Sequence, residues 1–335
     1  MAIDTAMYSP KQFMLSILPE TTLGTKNVTS MHLINLEGYP SITRGVTRVL
    51  DVRHGVGQTA KKADAFVDEY GAIKEISFTA LYDQTTAPIF ISNCMGVAVS
   101  TSPASYDIAY NFTTVECKIG DEDTNSTGAL TVAIVSPEEG YSEVYPGCFV
   151  DTLKMSADAG SDGGRFKMEV TLKTRSNADH SVPVTDPTFA NSDVPYVTYR
   201  TLWDLATKCS VGGADVVMNK FEISLNSQVK FYGCGTNGAP QTIGRGFPEF
   251  ICSGLFGIKY DVNSAGLVQS QYAEADVAVE ISNHATWASA TFGVKGSYGQ
   301  ISDNFDVGEV EAGAFIDVPL KFLASTSGDV LQVCP

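Results

Sequence analysis

Two segments of alternating apolar and polar residues most constrain the fold of this chain. They are residues 149–156 and 166–174, and the connector between them, residues 157–165, is rich in Gly, Asp and Ser. Side chains of a strand point to opposite faces in turn, so Phe149 and Leu153 can enter a core while their neighbours face water. The pattern therefore predicts a β-hairpin with one buried face.

A related strand–turn–strand pattern returns in residues 219–260. Two such units in one chain predict an internally duplicated β-sandwich. The composition agrees, because 30 glycines and 14 prolines favour short strands joined by turns. We therefore predict a mainly β fold with two tandem β-sandwich or tube-type units, each with one short flanking helix.

The chain of 335 residues is long enough for two domains. Residues 1–44 lack a regular pattern and are predicted to form an N-terminal arm or an added strand that passes over a neighbouring chain, with a plain ordered leader as the alternative. The first β unit is predicted in residues 45–178 and the second in residues 194–335. Residues 179–193 contain two prolines (Pro183 and Pro187) and few large apolar groups, which is typical of a linker.

Two short helices interrupt the strands in this prediction. The first lies in residues 85–96, with Thr86 as its N-cap and Gly96 as its stop. The second lies in residues 199–209 and is ended by Gly212 and Gly213. Further strands are predicted in residues 43–53, 71–82, 105–118, 129–136, 143–156, 217–225, 228–233, 250–262, 275–282, 290–296 and 314–323.

Charge and cysteine content narrow the function. The net charge of −16 disfavours direct nucleic-acid binding, which needs Lys and Arg to replace phosphate counterions. The seven cysteines form no CxxC pair, and their scattered spacing predicts free thiols made in a reducing compartment. The N-terminus has no secretion-signal pattern and no segment has the ~18–20 apolar residues of a membrane span. We therefore expect a chain made soluble in the cytoplasm.

Two sequence patterns imitate ligand sites. Residues 233–238 read GCGTNG, but Pro240 follows where a dinucleotide site needs a helix to begin. Residues 121–125 read DEDTN, as in a calcium loop, but Ser126 and Val132 stand where Gly and Glu are required. We interpret both as turns. Residues 158–162 are interpreted in the same way.

Other candidate chemistry is equally isolated. No pair of the four histidines His32, His54, His180 and His284 has metal-ligand spacing. Glu138 and Glu139 lie in a turn and are interpreted as surface charge rather than as glycosidase acids. No nucleophile elbow occurs. We therefore predict no catalytic, cofactor-binding or metal-binding residues and no enzymatic activity.

Four passages resemble the tail tube (major tail) proteins of long-tailed bacteriophages. They are residues 71–96, residues 145–175 with Gly147, Cys148, Val150, Leu153 and Ser156, residues 221–246, and the closing strand Phe315–Phe322. Their order and spacing carry more weight than any one of them. The long leader departs from the family pattern.

The resemblance implies a structural virion protein whose inner sheets join into a barrel around a channel. A duplicated chain would then need only three copies for a pseudo-hexameric ring, and stacked rings would form the tube through which DNA passes. The implied partners are other copies of the chain and tail proteins such as the tape measure, tail tip and terminator. DNA would slide past an acidic lumen without specific binding.

Two other functions remain open from the residues. A β-sandwich binding module for a receptor or carbohydrate predicts exposed aromatic side chains gathered on one loop face, whereas Trp203 and Trp287 are far apart in sequence. A hydrolase on a β-sandwich scaffold would need a convergent pair of acids, and the sequence offers no clear candidate.

Overall fold

The structure is a computed structural model that describes residues 13–21, 23–45, 47–50, 65–68, 72–95, 108–109, 129–136, 142–180, 188–189, 199–232, 242–244, 251–273, 275–303, 305, 307–310, 313–323 and 331–334. These residues fold mainly into antiparallel β-structure. The prediction of a mainly β fold is confirmed.

The strands of the first half are β1 (Met14–Pro19), β2 (His32–Leu33), β3 (Ser41–Thr43), β4 (Thr47–Leu50), β5 (Ala65–Asp68), β6 (Lys74–Leu81), β7 (Ile108–Ala109), β8 (Leu130–Val135), β9 (Glu143–Asp158) and β10 (Lys167–Thr174). Those of the second half are β11 (Lys208–Val211), β12 (Ala214–Asp215), β13 (Met218–Asn226), β14 (Lys230–Tyr232), β15 (Thr242–Gly244), β16 (Ile251–Lys259), β17 (Val277–Ser282), β18 (Gly293–Ile301), β19 (Val307–Val310), β20 (Gly313–Phe322) and β21 (Gln332–Cys334). The described helices are α1 (Ala87–Met95) and α2 (Ala265–Ser270), with short 3-10 turns at Asp162–Gly164, Leu202–Leu205 and Trp287–Ser289.

A central antiparallel sheet runs through both halves of the chain in the order β3–β6–β10–β9–β13–β16–β20. The hairpin predicted from the alternating pattern lies at its middle, where β9 pairs with β10 and Leu153 faces Val170. The two halves join directly, because β9 also pairs with β13 and Met155 faces Ile223. The two halves of the chain are therefore neighbours within one sheet.

Further strands flank this sheet on both halves. The first residues of β9 pair with β8, and β8 pairs with β1 from Met14–Val135 to Pro19–Leu130. In the second half β18 pairs with β17 and β21, and its last residues pair with β20. Two two-stranded hairpins, β4–β5 and β14–β15, lie in sequence between β3 and β6 and between β13 and β16.

One face of the central sheet is buried. Its apolar residues join α1, β1, β8, β17 and β18 in a single large hydrophobic cluster. The ring of Phe166 lies within it and makes edge contacts with the rings of Tyr82, Phe221 and Phe292. Because the cluster draws on both halves of the chain, burial of apolar surface couples them.

The first predicted helix is confirmed as α1. The carbonyl of Asp83 accepts a hydrogen bond from the amide of Ala87 at 2.8 Å, and that of Thr86 accepts one from Phe90 at 3.3 Å. The helix packs on β9 and β13, where the Asn93 side chain accepts a hydrogen bond from the amide of Val150 at 2.7 Å.

The second predicted helix, in residues 199–209, is wrong. Only Leu202–Leu205 turns, because the Asp204 carboxylate accepts hydrogen bonds from the amide and hydroxyl of Thr201 and closes a single turn. The chain then enters β11, which pairs with β17. Gly212 and Gly213 form the turn from β11 to β12, with φ of 65° and 80°. The short helix of the second half is α2.

Within the predicted leader, Met14–Pro19 forms an ordered strand. This segment is β1, and its Leu15 and Ile17 are buried in the main cluster. Its apolar patch is short, but a strand between β2 and β8 needs no more. Residues 1–12 lie outside the described residues, so their role as an arm stays a prediction.

The described ends of the predicted linker contact the first half. Asp179 forms a bridge with Val144, and Phe189 forms one with Met31. The division of the chain at residues 179–193 stays a prediction.

Candidate functional site

The second face of the central sheet is mostly polar. Alternation along β6, β9, β10 and β13 places hydroxyl, amide and charged side chains there while apolar ones enter the core. In β16 and β20 this face also carries the half-buried Ile251, Leu255 and Phe315. One register row crosses six strands and consists of Thr79, Glu169, Lys154, Ser224, Ser253 and Lys321. We name this second face of the central sheet the polar face. The groove over it has a volume of about 770 Å³.

Lysines on the polar face lie beside acids. The Nζ of Lys154 is 3.0 Å from a carboxylate oxygen of Glu222 and 3.9 Å from one of Glu169. The Nζ of Lys220 lies 3.3 Å from a carboxylate oxygen of Asp317. Partly exposed pairs of this kind add little stability. They do cancel charge locally, so the polar face carries interspersed charges of both signs.

Two further lysines at the edge of this face are also paired. Lys167 contacts Glu37 at 2.9 Å and forms a second ion pair with Asp162, which lowers the pKa of Asp162. Lys173 contacts the nearly buried Asp151 at 2.7 Å. Because carboxylates hold Lys154, Lys167, Lys173 and Lys220, these four lysines have little free positive charge to offer a phosphate backbone.

The central sheet is bounded by β3 at one end and, beyond β20, by β19 at the other. Among the described residues β3 pairs only with β6, and β19 pairs only with β20. Each edge therefore leaves a row of backbone groups on its outer side. Exposed edges of this kind can pair with a strand of another chain.

A buried carboxylate that the sequence analysis missed fastens the N-terminal segment. Glu20 is 3% exposed and accepts hydrogen bonds from the amides of Gly24 and Gly147, each at 2.7 Å, and from the Thr131 hydroxyl at 2.9 Å. Burial raises the pKa of Glu20 more than these donors lower it. No motif marks this residue, because its donors come from distant parts of the chain.

A second buried carboxylate, Asp83, lies before α1. It accepts a hydrogen bond from the Thr85 amide at 2.9 Å. Burial raises the pKa of Asp83 above 3.8, while the hydrogen bonds from Thr85 and the charge of His32 act in the opposite direction. Burial also lowers the pKa of His32.

The raised pKa of Asp83 predicts a pH effect on stability. The folded protein binds this proton more tightly than the unfolded chain, so the stabilising contribution exists below pH 3.8 and is lost as pH rises through the folded pKa. Asp83→Asn keeps the acceptor oxygen and removes the titration. We expect this variant to gain stability relative to the wild type as pH rises from about 4 to about 7.

Urea unfolding at several pH values measures this difference. Asp215→Asn is the matched control, because the Asp215 side chain is 80% exposed. A difference between wild type and Asp83→Asn that does not change with pH would contradict the expectation.

The sequence-predicted candidate residues do not converge in the described part of the chain. His32, His180 and His284 belong to different regions, and no described group of three His, Cys, Asp or Glu side chains could hold a metal ion. The 158–162 connector is a turn in which the Asp158 carboxylate accepts the Gly160 amide. Residues outside the described part are His54, Glu138, Glu139 and the segments 121–125 and 233–238. No described helix has the length and apolar character needed to cross a membrane.

Exposed aromatic side chains gather beside the β9–β10 connector. Trp203 is 64% exposed and Tyr199 is 56% exposed. The guanidinium of Arg165 lies over the Tyr199 ring at 4.8 Å. The backbone bridge between Arg165 and Thr201 holds the two segments together.

No protein-family model matches this sequence, and comparison with curated proteins found no significant match.

Proposed function

We propose that this chain is a structural subunit of a bacteriophage tail tube, built from two duplicated units and acting by self-assembly. Three copies form a pseudo-hexameric ring, and rings stack into a hollow tube through which DNA passes. The proposed partners are further copies of the chain and tape-measure, tail-tip and terminator proteins. The virion tail is the proposed location, and no enzymatic activity is proposed.

The segment that leads into each helix supports the duplication. Residues 81–87 read LYDQTTA and residues 259–265 read KYDVNSA. In both, an Asp accepts a hydrogen bond from the amide two residues later at 2.9 Å, and its carbonyl accepts the first helical amide. Asp83 serves α1 in this way and Asp261 serves α2.

The strands that pair with these segments support it further. β10 contains MEVTLK (168–173) and β20 contains IDVPLK (316–321). The registers agree as well, because Lys167 faces Leu81 where β10 meets β6, and Phe315 faces Lys259 where β20 meets β16. Agreement of sequence and register at matched positions is what gene duplication produces.

The polar face is the proposed lumen surface, and it carries the proposal. It extends across both halves of the chain, as a channel lining must, and includes the apolar Ile251, Leu255 and Phe315 in the second half. A solvated face on one side of an antiparallel sheet is common. The ion-paired lysines of the polar face also suit this face to DNA passage, because they leave little free positive charge to bind phosphate. We propose that neutralised lysines and hydroxyl groups, rather than a strongly acidic lining, prevent adhesion.

Electron microscopy of the concentrated protein tests the proposed assembly. Hollow tubes or stacked rings with a central channel are expected. Discrete particles that never stack at any concentration would count against a tube subunit.

Charge substitution on the polar face tests its orientation. Glu169→Lys combined with Glu222→Lys removes the acids that hold Lys154 and adds two cations per chain. Tubes of this variant are expected to bind short duplex DNA, with an affinity that falls steeply as salt rises. Wild-type tubes are expected to bind little.

A matched pair of substitutions separates lumen charge from total charge. Asp215→Lys with Asp276→Lys makes the same charge change at exposed positions of the second half, away from the polar face. Equal DNA binding by tubes of both variants would contradict the assignment of the polar face to the lumen.

A second candidate is a receptor- or carbohydrate-binding module. The exposed Trp203 and Tyr199 beside Arg165 favour this function, because aromatic faces stack on sugar rings. A binding module is also expected to gather exposed aromatic side chains on one loop face. A glycan screen tests it. A ligand lost in Trp203→Ala, from a protein that does not assemble, would favour this reading over the tube.

A further inference from the structure

The pairing of β9 with β13 inside the chain serves as a template for pairing between chains. In it Ser156 faces Glu222 and Met155 faces Ile223 across an antiparallel junction of the two halves. If the halves are copies of one unit, a ring that repeats this unit must use the same junction between one chain and the next.

The strand that corresponds to β13 in the first half is β3. Each helix begins at the same spacing after its strand, Ala87 after Leu81 and Ala265 after Lys259, so position 77 of β6 matches position 255 of β16. Ser41 faces Ser77 and Glu222 faces Leu255. Ser41 therefore occupies the position of Glu222.

The strand that corresponds to the end of β9 in the second half is β19. Lys167 of β10 matches Phe315 of β20, because each faces the last residue of its β6 or β16 neighbour. Lys167 faces Ser156 and Phe315 faces Gly308. Gly308 therefore occupies the position of Ser156.

Within the described residues, the outer edges of these two strands have no strand partner. The equivalent edges of β9 and β13 pair with each other through backbone hydrogen bonds, whereas β3 and β19 lie at opposite ends of the central sheet. We propose that β3 of one copy pairs antiparallel with β19 of the next copy, with Ser41 opposite Gly308. This pairing rests on the proposed function, and it names the strands and register that close the ring.

The pairing extends the polar face from one copy to the next. Residues opposite each other across an antiparallel pair share a face, and in the template Ser156 and Glu222 both lie on the polar face. Ser41 and Gly308 at the matching positions continue it. Three copies then contribute three internal and three intermolecular junctions.

Disulfide trapping tests the register. Directly opposed residues of antiparallel strands have Cα atoms about 4.5–5.5 Å apart, within disulfide reach. Assembled Ser41→Cys/Gly308→Cys protein is expected to give covalent dimers and trimers under mild oxidation, with the trimer dominant at completion. The wild type, with its seven native cysteines, and both single variants measure the background.

Two further variants control for geometry. Ser156→Cys/Glu222→Cys places the thiols at the internal template and is expected to close within each chain. Ser41→Cys/Gln300→Cys moves the second thiol to β18, opposite Lys321, which is six positions along β20 from Phe315, the partner of Gly308. This displacement of about 20 Å is expected to give no oligomers above background.

The outcomes separate this inference from the proposed function. Tubes that form but show no specific cross-link would overturn the register and leave the tube standing. A chain that stays monomeric would overturn the proposed function and the pairing with it. Hydrogen exchange on unsubstituted tubes gives an independent check, because amides of β3 and β19 should exchange more slowly than in dissociated chains; equal exchange would overturn the pairing.

Discussion

Replacing Phe166 with alanine is expected to lower the free energy of unfolding by about 3–5 kcal/mol. Phe166 is 2% exposed, and its ring lies 5.1–5.2 Å from the rings of Phe292 and Phe221. These residues belong to both halves of the chain, so the cavity would weaken the packing that couples them.

Urea unfolding of dilute protein measures this loss. Tyr272→Ala is the matched control, because Tyr272 is 85% exposed, and its change is expected to stay within about 0.5 kcal/mol. A similar, small change in both variants would contradict the burial of Phe166.

Replacing Glu20 with alanine is expected to cost about 3 kcal/mol or more. The substitution leaves the amide of Gly147 and the hydroxyl of Thr131 without their acceptor in a buried site, and the amide of the exposed Gly24 loses the same acceptor. Glu20→Gln is expected to cost less. It keeps an acceptor oxygen and removes the buried charge, although its amide group would face one of the donors.

Local loosening accompanies this loss. Glu20 directly follows β1, so hydrogen exchange in residues 14–24 should quicken more than in β10 for Glu20→Ala. Uniform quickening across the protein would show that the carboxylate contributes only to global stability and does not fasten the N-terminal segment.

The strands of the central sheet could be predicted because their side chains alternate. The predicted strand in residues 71–82 is β6 (Lys74–Leu81), and that in residues 314–323 is β20 (Gly313–Phe322). One buried face and one solvated face produce this pattern locally, so a single strand suffices to reveal it.

The missed elements depend on contacts that sequence patterns do not display. Residues 199–209 have an apolar face, yet Lys208–Val211 form a strand because β17 offers them a partner. Residues 265–270 carry one buried side chain, Leu267, and look unremarkable in sequence as a helix. Strand pairing decided the first case, whereas the second helix is too short and buries too little to show a pattern.

The candidate site was predictable only in part. Alternation placed Lys154 and Ser156 on a face toward water or a neighbour, but the ion pairs with Glu169 and Glu222 require the strand order. The edges at β3 and β19 likewise follow from the order of strands. Glu20 gave no signal, because its donors are distributed along the chain.

A cryo-electron microscopy reconstruction of the assembled protein tests the central claim most directly. We expect a hollow tube of stacked rings with three chains each, β3 beside β19 of the neighbouring chain, and the polar face on the channel. Discrete particles without a channel, or a tube whose polar face points outward, would contradict it.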